Sequence, residues 1–341
     1  MWTWIVAILG LGLLIVVHEA GHYFVARLFG MRVERFSIGF GPGIIKWKRK
    51  ETTFQIAPIP FGGFVQIVGM NPHEEYDEKD PTIYPNRPAW MRFLAIFAGP
   101  ATNVICAAFL IFVVFAIAGA ESGRGRISAV VPGLPAAEVM KPGDVIAKVD
   151  GTPVVLDSFR EAVKQSGGRP LTVTVLRDGQ EVDLTLIPKK NESGIFQVGV
   201  AMDREPGRRD IGIGRAAVES VKYTYLTSKM ILVNLWEVAR KPQEAEVTGP
   251  VGITDMINKQ VRAGWVSFFE ILALLSVYLG LFNLLPLPAL DGSRLAFLAY
   301  EIATRRRPNP KVETAVHMAG TVVLLVVMVL VLFKDIRRVV G

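Results

Sequence analysis

Leu13 to Phe24 reads LLIVVHEAGHYF, and the fold is decided by what surrounds that stretch. From Trp2 to Val17 only Thr3 is neither apolar nor glycine, and no Lys or Arg intervenes, which is the composition of a membrane span running straight into the motif. On a helix His18 and His22 lie one turn apart on the same face, so both imidazoles can reach one zinc ion. Glu19, next in sequence, is then placed beside that ion to handle protons. A His-x-x-x-His pair on a soluble amphipathic helix is often just two polar positions facing water. At the end of an apolar span the same trio costs about 3 kcal/mol per ionisable group unless it faces a cavity or a metal. The stretch therefore points to metal-dependent hydrolase chemistry.

The rest of the composition agrees with a membrane protein carrying a modest soluble part. Of 341 residues 51% are hydrophobic, which leaves room for several spans and one small domain. The net charge of +7 is carried near span ends, where it reads as a topology signal and not as a nucleic-acid surface. The single cysteine, Cys106, sits in an apolar run, which excludes an internal disulfide and a cysteine metal cluster. No cleaved signal peptide is expected, because the start lacks a basic region and cleavage would discard the metal motif.

Working outward, the first span (about 2–26) is followed by Arg27, Arg32, Arg35, Lys46, Lys48, Arg49 and Lys50, so that loop is expected to be cytoplasmic and the HEAGH to lie toward the cytoplasmic side. Thr52 to Met70 (about 52–70) contains two short apolar segments flanking Pro60, Phe61, Gly62 and Gly63, and resembles a hairpin with an open edge. Asn71 to Pro88 reads as an exposed acidic loop with a solvated His73. A second span covers about 93–119 and opens with FAGPATN, in which Gly99 and Pro100 allow close packing or a kink. Asn103 needs a partner inside the membrane; it either packs beside the first span or orients the metal site.

After Gly119 short β-like runs alternate with the turn signals Pro132-Gly133, Asp150-Gly151 and Asp178-Gly179, with one helical segment near Asp157 to Gln165. The run GLPAAEVMKPGDVIAKVDGTPV looks like the PDZ module of bacterial proteases. That likeness implies a small α+β domain over 120–202 that binds or filters an extended peptide; a packing spacer is the alternative. The region 203–264 reads as an amphipathic segment at the outer interface, with its helix over Arg215 to Lys241 and a special turn in TGPVGI, Thr248 to Ile253. A third span (about 265–287) ends in LGLFNLLPLPALDG. Catalytic zinc takes three protein ligands, and Asp291, behind the helix-breaking Pro286 and Pro288, is the candidate third. Asn283 either hydrogen-bonds a substrate carbonyl or satisfies backbone carbonyls freed by the prolines. A fourth span is expected at about 316–333, with His317 as an interfacial residue.

HEAGH with NLLPLPALDG and an intervening PDZ-like run resembles the site-2 protease family of intramembrane zinc metalloproteases, in particular its bacterial RseP-type branch, over nearly the whole chain. The resemblance implies that His18, His22 and Asp291 bind Zn2+, that Glu19 is the catalytic acid/base, that Asn283 assists substrate binding, and that 52–70 is a membrane-associated β-hairpin meeting the substrate. It implies a multi-pass α-helical protein of the bacterial inner membrane, with the PDZ-like domain outside. Its partners would be the lipid bilayer and single-span membrane proteins, such as an anti-sigma factor or remnant signal peptides, with no nucleic acid. RseP-type proteins with two tandem PDZ domains set a pattern this chain departs from, having room for one. Two other classes place His and Asp in spans or carry such a module: a zinc transporter has no need of Glu19, and a membrane-anchored PDZ scaffold has no need of the HEAGH.

Overall fold

The computed structural model describes residues 2–71, 77, 79–191, 194–205, 207–241 and 249–340. The chain divides into a unit formed by Met1–Phe115 with Ile213–Gly341 and an inserted unit, Ala116–Gly212. The first helix, α1 (Trp2–Leu28), has no charge before the HEAGH, and its buried positions Ala7, Gly10, Leu14, His18, Gly21, His22 and Ala26 fall along one face. Together they give a narrow inward stripe on a helix that is apolar all round.

Four strands follow: β1 (Val33–Phe40), β2 (Ile45–Arg49), β3 (Thr52–Ile56) and β4 (Ile59–Ile67). They form one sheet in the order β2-β3-β1-β4. The hairpin expected over 52–70 does not form. Its two arms, β3 and β4, lie on opposite sides of β1, which runs parallel to β3 and antiparallel to β4, with Phe36 opposite both Phe54 and Val65. The reason is local. Only Ala57 and Pro58 separate the two arms, and a two-residue hairpin turn needs positive φ, which neither residue supplies. The basic segment after α1, expected to be a loop, instead provides the strand that satisfies both. Among the described residues no strand pairs with the outer edge of β4. The helix α2 (Ala89–Ala118) then carries Pro100 in its interior. His73 lies outside the described residues.

The inserted unit contains β5 (Ala120–Glu121), β6 (Gly125–Val130), α3 (Ala136–Val139), β7 (Val145–Val149), β8 (Thr152–Pro153), α4 (Leu156–Gln165), β9 (Leu171–Arg177), β10 (Gln180–Leu186), β11 (Lys189–Lys190), β12 (Phe196–Gln197), β13 (Val200–Arg204) and β14 (Arg208–Arg209). Its main sheet runs β10-β9-β7-β6-β13, with β8 on β7. Asp178 and Gly179 both take positive φ, 52° and 82°, as do Asp150 and Gly151 at 48° and 77°. These are the conformations that close two-residue hairpins with the right twist. Phe159 and Val163 of α4 pack on Ile127, Ile146, Val173 and Val175 of the sheet. Asp144, 2% exposed, is held by Arg177 through Nε and Nη2 at 2.8 Å and by the Lys141 N–H. Burial pushes its carboxyl up, but those bonds prevail and hold it below the usual carboxylate range.

The chain returns through α5 (Ile213–Arg240), α6 (Pro250–Ala263), α7 (Trp265–Asn283), α8 (Asp291–Thr304) and α9 (Pro310–Val340). The single amphipathic segment expected over 203–264 is thus two helices. α5 buries Ala216, Ser220, Thr224, Thr227 and Ile231 and exposes Tyr225, Leu232 and Trp236, the reverse of a water-facing helix. α6 starts at Pro250 and packs Ile257 against Ala7 of α1 and Ile271 of α7. The segment after the third span, expected as a loop from Asp291 onward, forms the helix α8.

Among the described residues three helices are long and apolar enough to cross a membrane: α1, α2 and α7. The fourth expected span falls within α9, part of whose side chains lie outside the described residues. The three helices meet through glycines, as in membranes where small residues let backbones approach. A Cβ on Gly21 would stand 2.4 Å from the Ala98 carbonyl oxygen, and one on Gly280 would stand 2.8 Å from the Pro100 carbonyl oxygen. α2 is gripped from both sides at neighbouring turns.

Candidate metal centre

α1 brings His18 and His22 to one face, and α8 brings Asp291. The turn from Leu284 to Leu290 places that aspartate: Ala289 takes φ 72°, and Gly292 lies so close to the Leu285 carbonyl that a Cβ would be 2.1 Å from its oxygen. Asp291 is therefore the first residue of α8, with its backbone fixed by a turn that rejects a side chain at the next position.

His18 Nε2 lies 3.1 Å from Asp291 Oδ2, His22 Nε2 lies 3.2 Å from the same oxygen, and the two nitrogens lie 3.2 Å apart. Tetrahedral zinc with bonds of ~2.05 Å would set its ligand atoms about 3.3 Å apart. Three lone-pair atoms facing one point at this spacing repel each other unless a cation sits among them, so the donor set fits zinc. Both histidines are 7% exposed.

Each imidazole is also held from behind. His22 Nδ1 donates to the Ala95 carbonyl of α2 at 2.9 Å. A metal ligand keeps Nε2 free of a proton, so that bond selects the required tautomer. His18 Nδ1 lies 3.1 Å from the amide of Asn103, fully buried on α2, whose Oδ1 has no partner among the described residues. With the amide turned over, Oδ1 accepts from Nδ1–H, and one rotation fixes the His18 tautomer and satisfies the orphan oxygen. The Asn103 carbonyl accepts from Ser276 of α7 at 2.8 Å. Gly99 makes room for the His22 ring, since a Cβ there would be 2.2 Å from Nε2. α8 is tied to the same helix by a buried Arg92–Glu301 ion pair.

Glu19 sits beneath β4. A Cβ on Gly63 would be 3.3 Å from Glu19 Cγ, and the Val65 backbone N–H faces the carboxylate. The structure thus brings His18, Glu19, His22 and Asp291 together under the free edge of the sheet. Asn283 is placed differently: as the last residue of α7 it donates through Nδ2 to the Leu279 carbonyl at 2.9 Å, one turn back in its own helix. Sequence reasoning did not find the Ala95 carbonyl, because a backbone acceptor leaves no residue signature, nor the approach of Gly63 and Val65 to Glu19.

A sequence profile described as Peptidase family M50 matches residues 6–327. A protein of Fusobacterium nucleatum, provisionally named a zinc metalloprotease, is 31% identical across 98% of this chain and 99% of its own length. The zinc metalloprotease RasP of Oceanobacillus iheyensis is 28% identical across 99% of each chain. Among solved structures, the PDZ domain of an SdrC-like protein from Listeria innocua covers 25% of this chain and 99% of that domain, at 15% identity and a TM-score of 0.23.

Proposed function

The chain belongs to peptidase family M50 and is a zinc metalloprotease, and from that premise we propose that it hydrolyses peptide bonds within or near the transmembrane segments of single-span membrane proteins. The observation that carries this reading is the triangle of His18, His22 and Asp291 on helices of a membrane-spanning unit, with a half-buried glutamate beside it. His18, His22 and Asp291 would hold the zinc. When bound, zinc supplies Lewis-acid polarisation of a peptide carbonyl and draws the pKa of water toward neutrality. Glu19 takes the proton of the attacking water and returns it to the leaving amine. Asn103 and the Ala95 carbonyl keep the two imidazoles oriented throughout. Asn283 holds a substrate carbonyl once its amide leaves the Leu279 carbonyl.

A helical peptide bond is shielded by its own hydrogen bonds, so the substrate must unwind before Glu19 can act. The free edge of β4 supports this step, because an extended segment added there by backbone pairing passes directly over Glu19. The inserted unit acts as a PDZ-like module that binds or excludes the substrate's outer part. We place the protein in a bacterial inner membrane with the metal centre toward the cytoplasmic side and the inserted unit outside, on the basic residues that follow α1. Anti-sigma factors and remnant signal peptides are substrates of the required kind.

The test replaces Glu19 with Gln. Cleavage should fall by about 10²–10⁴-fold, the share carried by a positioned acid/base, while bound zinc measured by atomic emission stays stoichiometric. Single-span proteins should accumulate in membranes of cells carrying the variant, as read by quantitative proteomics. Turnover unchanged from the native protein would refute the role of Glu19.

A further inference from the structure

The free edge of β4 opens on a cleft of about 640 Å³, whose near wall is the β4 stretch Phe64 to Ile67. Its far wall is α9, which presents Glu313, Thr314, His317 and Thr321 among Met318 and Val322, with Arg294 of α8 beside them. A peptide strand paired with β4 would have its inner edge satisfied and its outer edge, with alternating N–H and C=O groups, facing α9 away from bulk water. Unpaired, those groups would weaken binding. Something on α9 has to meet them.

His317 has the spare capacity. Ser293 donates its hydroxyl proton to the Leu290 carbonyl at 2.8 Å, so toward His317 its oxygen accepts, from Nδ1 at 3.4 Å. That leaves Nδ1 carrying the ring proton and Nε2 a bare acceptor. Nε2 is buried and has no hydrogen-bond partner among the described residues. Thr321 already spends its hydroxyl on the His317 carbonyl at 2.9 Å. Gly320 holds this face of α9 against Pro288, where a Cβ would stand 1.9 Å from the proline Cβ. His317 thus lines the cleft from a part of α9 fixed to the turn that carries Asp291.

We propose that His317 is a substrate-positioning residue, its Nε2 accepting a backbone N–H from the outer edge of a peptide strand paired with β4. The proposal rests on the reading of β4 as the substrate edge, and the experiment separates the two. The full-length protein carrying Glu19→Gln, zinc-loaded and in nanodiscs, is titrated with fluorescein-labelled β-casein, an unfolded chain rich in extended backbone. In parallel, a benzoylphenylalanine at Gln66 on β4 is photo-crosslinked to the same probe. His317→Phe keeps the ring and loses both nitrogens, His317→Asn keeps a polar atom near Nδ1, and His317→Gln keeps one near Nε2.

The expected result is crosslinking from position 66, a dissociation constant raised about five-fold in the Phe and Asn variants, the worth of one hydrogen bond, and one within about two-fold of the parent in the Gln variant. Crosslinking with all variants equal to the parent, or with Asn restoring binding and Gln failing to, would overturn the role of His317 and leave the β4 edge standing. No crosslink and no binding would remove both.

Discussion

On the spans Leu9, Leu13, Phe24, Ile105 and Phe109 stand exposed while His18, His22, Asn103 and Ser276 are buried; in the inserted unit Ile127, Phe159 and Val173 are buried while Lys164, Arg169 and Glu181 stand exposed. The two regions apply one rule in two solvents. In water the driving force is removal of apolar area, so the inserted unit hides its large side chains behind a charged surface. Lipid offers no such gain, so the helical unit is held by close backbone approach at Gly21 and Gly280 and by polar atoms paired inside it. Small residues and hydrogen bonds should therefore dominate one region and large apolar side chains the other.

The largest effect expected from that contrast comes from a single methyl group. Gly99→Ala puts a Cβ into the space of His22 Nε2, so zinc affinity measured against a chelator should fall more than about ten-fold, with proteolysis falling alongside it. Gly179→Ala in the inserted unit meets no atom within 4 Å and should cost only the strain of its positive φ, about 1 kcal/mol, with zinc binding untouched. Equal effects at the two positions would erase the distinction. Phe159→Ala probes the other region, through its stability and not through zinc. A core cavity of that kind costs about 3–5 kcal/mol, and hydrogen exchange on the full-length protein should show β7, β9 and β10 loosened while α1 and α2 keep their protection.

The smallest effect sharpens the comparison through pH. Asp144 has a carboxyl held low by Arg177 and the Lys141 N–H. Its contribution is complete above the unfolded value of about 3.9 and is lost as pH falls through the lower folded value. Acid titration below about pH 4 should therefore loosen the inserted unit by a step that Asp144→Asn removes, followed by tryptic cleavage after brief acid exposure. An identical acid profile for native and variant proteins would sever Asp144 from that stability.

The sequence made the HEAGH legible because burying three ionisable groups at the end of an apolar run needs a reason, and made Asp291 legible because two prolines and a glycine frame it. The sheet was harder to read. Val33 to Phe40 contains Glu34, Arg35 and Ser37, and the charges after α1 signal topology as strongly as β4 and β3 signal strands; only the three-dimensional pairing shows that β1 separates them. Gly99 carried a packing signal without saying what packed on it, and Asn103 declared a need for a partner without naming His18. α8 was missed because the turn before it reads as a loop, and its first residue was singled out for chemistry instead of helix initiation.

One helix holds all of this in register. Ala95 fixes His22, Asn103 fixes His18, and Arg92 grips Glu301, which rides with Asp291 on α8 about 15 Å along the same rod. All three candidate ligands are thus referenced to α2. A lateral drift of that helix displaces them as a common-mode shift, leaving their mutual spacings nearly constant. Bilayer fluctuations that jostle the whole bundle would then be filtered out before they reach the chemistry.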